Sequence, residues 1–252
     1  MLTTSTFMFT LFTLSECKEI AFMTSNRTTP FLFKLLVSLI FILGVVATVG
    51  HYLPPPDLAL VIKNSIPPGP EWYGTQLPLY SQHSLVSFLH IIPAFGISIL
   101  APIQLSGKIR SRMPALHRWS GRLFLFLASI MIISGIIISF TFPFARSGEA
   151  IVSLVIASCF GFSLTYALLC IRKRDISKHR RWMIRALAAG FAPITMRIFF
   201  SGILITTDTS AREIFNMTLW IGLGINLLLA ELWLNYKRTP AVTENPGSEA
   251  IS

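Results

Sequence analysis

Charged residues are scarce in this 252-residue sequence, and their scarcity argues against a soluble fold. They make up 13% of the chain, whereas hydrophobic residues make up 53%. A soluble domain contains about 25% charged residues. The mean hydropathy of +0.66 and the long apolar runs are typical of an integral membrane protein. We therefore expect one bundle of several membrane spans and no sizeable soluble domain.

Cysteine pairs and strand-like alternation are also missing. The three cysteines, Cys17, Cys159 and Cys170, form no CxxC motif. None lies in a candidate outer loop, so the sequence indicates no disulfide framework. Cys159 and Cys170 are interpreted as small core residues. Strict alternation of apolar and polar residues is absent, which argues against a membrane β-barrel.

Six apolar stretches are each long enough to cross the hydrocarbon layer, which takes about 20 helical residues. They are predicted near residues 31–50, 82–103, 120–142, 150–171, 184–206 and 214–235. The predicted fold class is all-α: a polytopic six-helix transmembrane bundle over residues 31–236. The proline-rich residues 52–80 are predicted to form an extended strap outside the membrane.

The two ends of the chain are predicted to lie outside this bundle. Residues 1–30 are predicted to be an N-terminal extension that is disordered or comes from a misassigned start. Residues 1–22 lack the basic start and the cleavage site of a signal peptide, and Met23 is a more natural start than Met1. We interpret residues 1–22 as the product of a misassigned start codon. Residues 237–252 are polar and are predicted to form a disordered tail.

The net charge of +10 comes from bases in a few short links. The positive-inside rule places such links in the cytoplasm and predicts that both termini are cytoplasmic. No basic stripe is interleaved with exposed aromatics, so we expect a lipid bilayer as partner and no nucleic acid. The bases of these links are Lys108, Arg110, Arg112, Arg118, Arg122, Arg172, Lys173, Arg174, Lys178, Arg180, Arg181, Arg185, Lys237 and Arg238.

A basic and aromatic stretch containing histidine occurs twice, as ALHRWSGRLF from Ala115 and SKHRRWMIRA from Ser177. Its Arg and Trp side chains suit the membrane interface, so plain anchoring explains Arg118, Arg122, Arg180 and Arg185 taken singly. Anchoring does not explain His117 and His179. Neutral imidazole binds metal, which makes these two histidines candidate ligands.

Two ionisable side chains are predicted at similar depth inside spans. Such groups are costly in a bilayer and indicate a functional site by default. His90 lies in the second span and Arg197 in the fifth. Arg197 needs an acceptor, for which we consider Glu231, a backbone carbonyl, a haem propionate or a quinone carbonyl.

The stretches HIIPAFGISILAPIQLSGKIRSRMPALHRWSGRLF and HRRWMIRALAAGFAPITMR resemble the family of predicted bacterial membrane proteins called domain of unknown function 2306. The resemblance covers residues 83–200 and implies a multi-pass protein of the bacterial inner membrane, with no established activity. The residues that carry it are His90, Gln104, Arg110, His117, Arg118, Gly121, Arg122, His179, Arg180, Trp182, Met183, Arg185 and Arg197.

A looser resemblance is to the six-span diheme cytochromes b of the ascorbate-dependent class, in which four central helices each supply a haem-binding histidine. This chain departs from that pattern, because the position expected to pair with His90 falls near Val155. The resemblance therefore leaves one inner b-type haem, held by His117 and His179, with basic residues pairing with its propionates.

Two main hypotheses about function remain, and neither assigns a catalytic residue. In the first, a membrane redox protein binds haem b through His117 and His179, while His90 and Arg197 serve a quinone or another redox partner. In the second, a haem-free transporter or sensor binds a small ligand at a broken helix, for which Pro93, Pro102 and Pro193 are candidate breaks. A membrane enzyme and an assembly protein are the remaining alternatives. The residues proposed to bind a cofactor are His117, His179, His90, Arg197, Arg118, Arg122, Arg180 and Arg185.

Overall fold

The computed structural model describes Ile42, residues 69–145 and residues 147–236, and the regular elements in these ranges are α-helices. Their all-α class agrees with the expectation from composition. The helices are α1 (Gly69–Gln82), α2 (Ser84–Leu105), α3 (Gly107–Arg112), α4 (Pro114–Thr141), α5 (Ser147–Arg172), α6 (Ile176–Gly190), α7 (Ala192–Thr206) and α8 (Ala211–Tyr236).

Five segments of the described chain are long and apolar enough to cross a membrane: Ser84–Leu105, Pro114–Thr141, Gly148–Arg172, Ile176–Thr206 and Ala211–Tyr236. They correspond to the last five predicted spans. The predicted first span, residues 31–50, lies outside the described residues apart from Ile42, as do the terminal segments 1–30 and 237–252. The six-span count and the cytoplasmic termini therefore stay predictions.

The helices of the third and fifth spans begin earlier than predicted. Pro114 starts α4, because its fixed φ suits a first helical position where no N–H partner is needed. Asp175 caps α6, and its carboxylate accepts a hydrogen bond from the Lys178 N–H over 3.0 Å. That hydrogen bond is also the main cause that lowers the pKa of Asp175. Both doubled stretches are therefore helical, with the two histidines inside the first turn.

The prediction of an extended strap was wrong for its last part, because residues 69–80 belong to α1. Helix α1 lies against the turn that follows α4. The Gln76 amide donates to the Phe142 carbonyl over 2.8 Å, and the His83 ring, just after α1, stacks on Phe142 at 4.6 Å between centroids. These contacts favour a helix despite Pro78. Residues 52–68 lie outside the described ranges.

The helices pack mainly as three pairs: α2 with α4, α5 with α6, and α7 with α8. Contacts of α5 with α4, and of α8 with α5 and α6, join the pairs into one bundle. One core cluster surrounds Phe124 and Phe160, and a second surrounds Val152 and Phe200 nearer α1. We call the two ends of the bundle the α1 end and the basic end, the latter carrying α3 and the α5–α6 turn.

The segment Ile176–Thr206 is broken between α6 and α7. Phe191 separates the two helices, and Pro193, which has no N–H to donate, lies in the first turn of α7. Asn226 on α8 bridges the break: its amide nitrogen donates to the Ala188 carbonyl over 3.0 Å, and its oxygen accepts from the Thr195 hydroxyl over 2.8 Å. By contrast, Pro93 and Pro102 lie within the continuous helix α2.

Helix α8 approaches the start of α7 closely at Gly222. A Cβ atom there would lie 2.5 Å from the Ala192 carbonyl oxygen and 2.9 Å from the Met196 nitrogen, both backbone atoms. Small residues allow membrane helices to approach in this way. We expect Gly222→Ala to lower the free energy of unfolding by roughly 2 kcal/mol, since the helices must move apart.

Gly224 supplies the matched control, because a Cβ there meets nothing within 4 Å. Gly224→Ala should leave the protein as stable as the parent or slightly more stable, since alanine favours helix. Thermal unfolding in detergent, followed by tryptophan fluorescence, measures both. Equal midpoints for the two variants would contradict the close approach at Gly222.

Candidate functional site

A cavity of about 490 Å³ lies inside the bundle, between the α1 end and the break in the fifth span. Helices α1, α2, α4, α5, α7 and α8 and the end of α6 contribute to its walls, and most of its lining is apolar. Cavities of roughly 300–1,000 Å³ with a few placed polar groups are typical of small-molecule sites. Its polar side chains are Gln76, Tyr80, His90, Ser98, Ser139, Glu149, Ser153 and Arg197.

Arg197 reaches this cavity from the second turn of α7. One terminal guanidinium nitrogen donates to the Pro193 carbonyl over 2.7 Å. Its Nε atom is buried and has no hydrogen-bond partner. This backbone carbonyl is one of the acceptors that the sequence left open for Arg197. Glu231 was also an open alternative, but it pairs with Arg185. Arg197 therefore keeps an unused buried N–H beside the cavity.

His90 lines the same cavity from α2. Its Nδ1 lies 3.3 Å from the Ser134 hydroxyl, which donates its own hydrogen to the Ile130 carbonyl over 2.8 Å. The tautomer of His90 sets which ring nitrogen donates and which keeps a lone pair. Gly135 makes room for the ring, because a Cβ there would lie 3.1 Å from the ring carbon Cε1. His90 and Arg197 line the same cavity.

Glu149 extends the polar lining at the α1 end, and the sequence reasoning missed it as a site residue. Its carboxylate accepts a hydrogen bond from the Ala145 N–H over 2.9 Å. Asn216 on α8 donates to the Ala145 carbonyl over 3.2 Å. The signal in the sequence was an acid in the first turn of an apolar helix.

The two histidines of the doubled stretch lie at the basic end, away from this cavity, and their surroundings differ. His179 Nδ1 donates to the Ala167 carbonyl over 2.9 Å, which orients its ring. His117 Nδ1 is buried and has no hydrogen-bond partner. The Gln104 amide donates to the His117 carbonyl over 3.2 Å. His117 lies within electrostatic range of His179.

The four arginines proposed from sequence fall into two groups. Arg118, Arg122 and Arg180 are exposed, and Arg122 lies over the Trp119 ring at 4.7 Å, as expected of interface anchors. Arg185 is 8% exposed. Its guanidinium makes a two-point ion pair with Glu231, at 2.5 and 2.9 Å, and stacks on Trp182.

The residues predicted as one cofactor set therefore lie in separate places. His90 and Arg197 share the cavity, His117 and His179 lie at the basic end, and Arg185 belongs to an ion pair. Within residues 69–145 and 147–236, no group of three or more His, Cys, Asp or Glu side chains is placed to hold a metal ion. Cys159 and Cys170 are buried and unpaired.

Comparison with known proteins yields a match to a family model. Comparisons with curated proteins and with solved structures find no match. A family model described as "Predicted membrane protein (DUF2306)" matches residues 87–234, which include His90, the doubled stretch, Arg197 and most of α8. The match extends beyond the residues on which the sequence resemblance rested and covers more than half of the chain. The chain therefore belongs to the DUF2306 family of predicted membrane proteins.

Proposed function

We propose that this protein is a haem-free carrier or sensor that binds a small, mostly apolar ligand in the cavity between α1 and the helix break. The observation that carries the proposal is the unused, buried Nε–H of Arg197 beside a 490 Å³ apolar cavity. An unpaired donor in such a setting is costly, and a ligand acceptor would satisfy it.

The polar groups define the chemistry of the ligand. Arg197 offers donors, while the neutral His90 ring offers one N–H and one lone pair, at positions set by its tautomer. A carbonyl or carboxylate oxygen would pair with the guanidinium, and a hydroxyl on the ligand could donate to His90. The remaining lining favours a ring or an acyl chain. A quinone or its quinol meets this description, and so does a fatty acid.

The broken helix supports a binding role independently of Arg197. Discontinuous helices mark substrate sites in many transporters, since the freed helix N-terminus carries partial positive charge. Here the start of α7 borders the cavity through Phe191, Pro193 and Ile194. The break and Arg197 thus favour the same kind of ligand group, an oxygen with negative charge or partial negative charge.

Binding of decylubiquinone to the full-length protein in lipid nanodiscs tests the proposal. We expect Arg197→Met to weaken binding by about tenfold or more, the effect of losing about 1.4 kcal/mol. Arg197→Lys should restore part of the affinity. Arg118→Met is the matched control, because Arg118 is exposed at the basic end. Tryptophan quenching gives the dissociation constants. Oleate is the second ligand tested in the same way. Unchanged affinity of Arg197→Met for both ligands would contradict the proposal.

A redox role is the second candidate, and one observation favours it. Because His179 donates from Nδ1 to Ala167, its Nε2 keeps the lone pair that a metal needs. His117 offers a buried nitrogen without a partner nearby. These two residues fit the chemistry of axial haem ligands, and the exposed Arg118 and Arg180 could pair with propionates. A b-type haem would supply one-electron transfer at the basic end.

An optical spectrum tests this second candidate. If haem binds, the purified protein should show a Soret band, and His117→Ala and His179→Ala should each abolish it. His83→Ala is the control, since His83 lies at the α1 end against Phe142. A parent protein without a Soret band, after expression with added haem, would exclude the redox role and leave the cavity proposal intact.

The charge distribution and the family together favour the bacterial inner membrane as location. The exposed bases gather at the basic end, which the positive-inside rule assigns to the cytoplasm. The α1 end and the polar side of the cavity would then face outward. With residues 31–50 as a sixth crossing, both termini are cytoplasmic, and alkaline phosphatase fusions at each end report this orientation.

A further inference from the structure

Two side chains of α2 belong both to the cavity wall and to the outer surface of the bundle. Ile92 and Phe95 line the cavity, yet they are 61% and 57% exposed. The cavity is only partly enclosed, and its edge along α2 lies at the surface of the described structure.

The opposite edge of this opening belongs to α7. Helix α2 packs on α4, α1 and α3, whereas α7 packs on α8 and α6, and the two make no extensive contact with each other within the described residues. Phe191 and Ile194 border the cavity on the α7 side and are partly exposed. The gap between α2 and α7 lies along membrane-spanning segments.

We propose that this gap is a portal through which a lipid-soluble amphiphile enters the cavity directly from the bilayer. The inference rests on the proposed binding function and narrows its ligand class. The apolar rim of Ile92, Phe95 and Ile194 excludes strongly hydrated ions and sugars, because they would lose their water there without replacement. Arg197, which lines the same cavity, receives the polar end of the molecule. A molecule dissolved in the membrane reaches the site without crossing an aqueous phase.

Photolabelling of the full-length protein in phosphatidylcholine nanodiscs tests the portal. The probe is an uncharged aryl diazirine that partitions into bilayers, and peptide mass spectrometry locates the label. Ile156 on α5 is partly buried and lines the cavity, so it should be labelled in the parent protein. Ile92→Trp should lower labelling at Ile156 several-fold, and Phe95→Ala, which widens the opening, should raise it.

The control substitution is Ile99→Trp, on the same helix, because Ile99 is 53% exposed but does not line the cavity. Labelling at the exposed Ile151 should stay constant in every variant and reports how much probe the bilayer holds. Equal labelling of Ile156 in Ile92→Trp and Ile99→Trp would overturn the portal. Labelling of Ile151 without labelling of Ile156 would also overturn the portal. That result would show that another segment, such as residues 31–50, covers the gap.

The binding proposal and the portal fail in different experiments. If Arg197→Met binds decylubiquinone and oleate as well as the parent protein, the cavity is not their site, yet the photolabelling pattern is unaffected. If Arg197-dependent binding is found but Ile92→Trp leaves the labelling of Ile156 unchanged, the ligand enters by another route.

Discussion

Glu231→Leu should lower the free energy of unfolding by about 3–5 kcal/mol, because it leaves the charge of Arg185 buried without a partner. Arg185 is 8% exposed and is held between Glu231 and Trp182. The double variant Arg185→Met with Glu231→Leu should recover most of the loss, since a pair of apolar side chains leaves no charge to solvate. Unfolding in detergent, followed by the fluorescence of Trp182 and the other tryptophans, measures these differences.

Lys178→Gln is the control for this prediction. It breaks a second ion pair, between Lys178 and Asp175, in which the Lys178 side chain is 65% exposed. Exposed pairs contribute little to stability, so the midpoint should hardly move. If Glu231→Leu lowered stability as little as Lys178→Gln, the pair of Arg185 with Glu231 would contribute no more than an exposed ion pair. Failure of the double variant to recover would show that the pair also sets helix packing.

Asn226→Ala should cost about 3 kcal/mol, the second largest effect, because two polar groups at the helix break lose their partner. An average polar contact between membrane helices contributes only about 0.6 kcal/mol. The break differs because α6 ends at Gly190, so the Ala188 carbonyl is among the last four of the helix and has no partner within it. In hydrocarbon, Asn226 is the group that satisfies this carbonyl and the Thr195 hydroxyl.

Asn216→Ala is the matched control, since Asn216 lies on the same helix and loses the same side-chain atoms. Asn216 makes one hydrogen bond, at 3.2 Å, and its Oδ1 is buried with no partner. Its replacement removes one bond together with one unsatisfied acceptor, so the change in stability should be small. A loss as large as that of Asn226→Ala would show that side-chain volume, and not the break, accounts for the effect.

The pattern of apolar runs was enough to predict helices at the last five spans, because each run must hide its backbone polar groups within itself. The cost of placing an ionisable side chain in a bilayer predicted that His90 and Arg197 belong to a functional site. Both line one cavity. It also located Pro193 as a candidate break. The sequence alone could not show that the helix breaks at Pro193 but continues through Pro93 and Pro102. Whether a helix breaks at a proline depends on whether a neighbour such as Asn226 supplies the lost hydrogen bonds.

The doubled stretch shows where local pattern misleads. Arg185 and Arg122 occupy equivalent positions in the two copies, yet Arg122 is exposed and Arg185 is buried against Glu231. The partner lies 46 residues away along the chain, on another helix. Likewise, His179 is bonded to Ala167 and His117 Nδ1 has no partner. Sequence similarity of two segments does not determine which helices pack against them.

By itself, the sequence determined the class of the protein, its family, the helices of the last five crossings and the end that carries positive charge. These depend on the composition of contiguous segments and on the cost of exposing polar backbone to lipid. Only the tertiary structure decided that Arg185 pairs with Glu231, that Glu149 joins His90 and Arg197 around a cavity, and that α2 and α7 stand apart. Those contacts join residues distant in the chain, and packing between whole helices sets them.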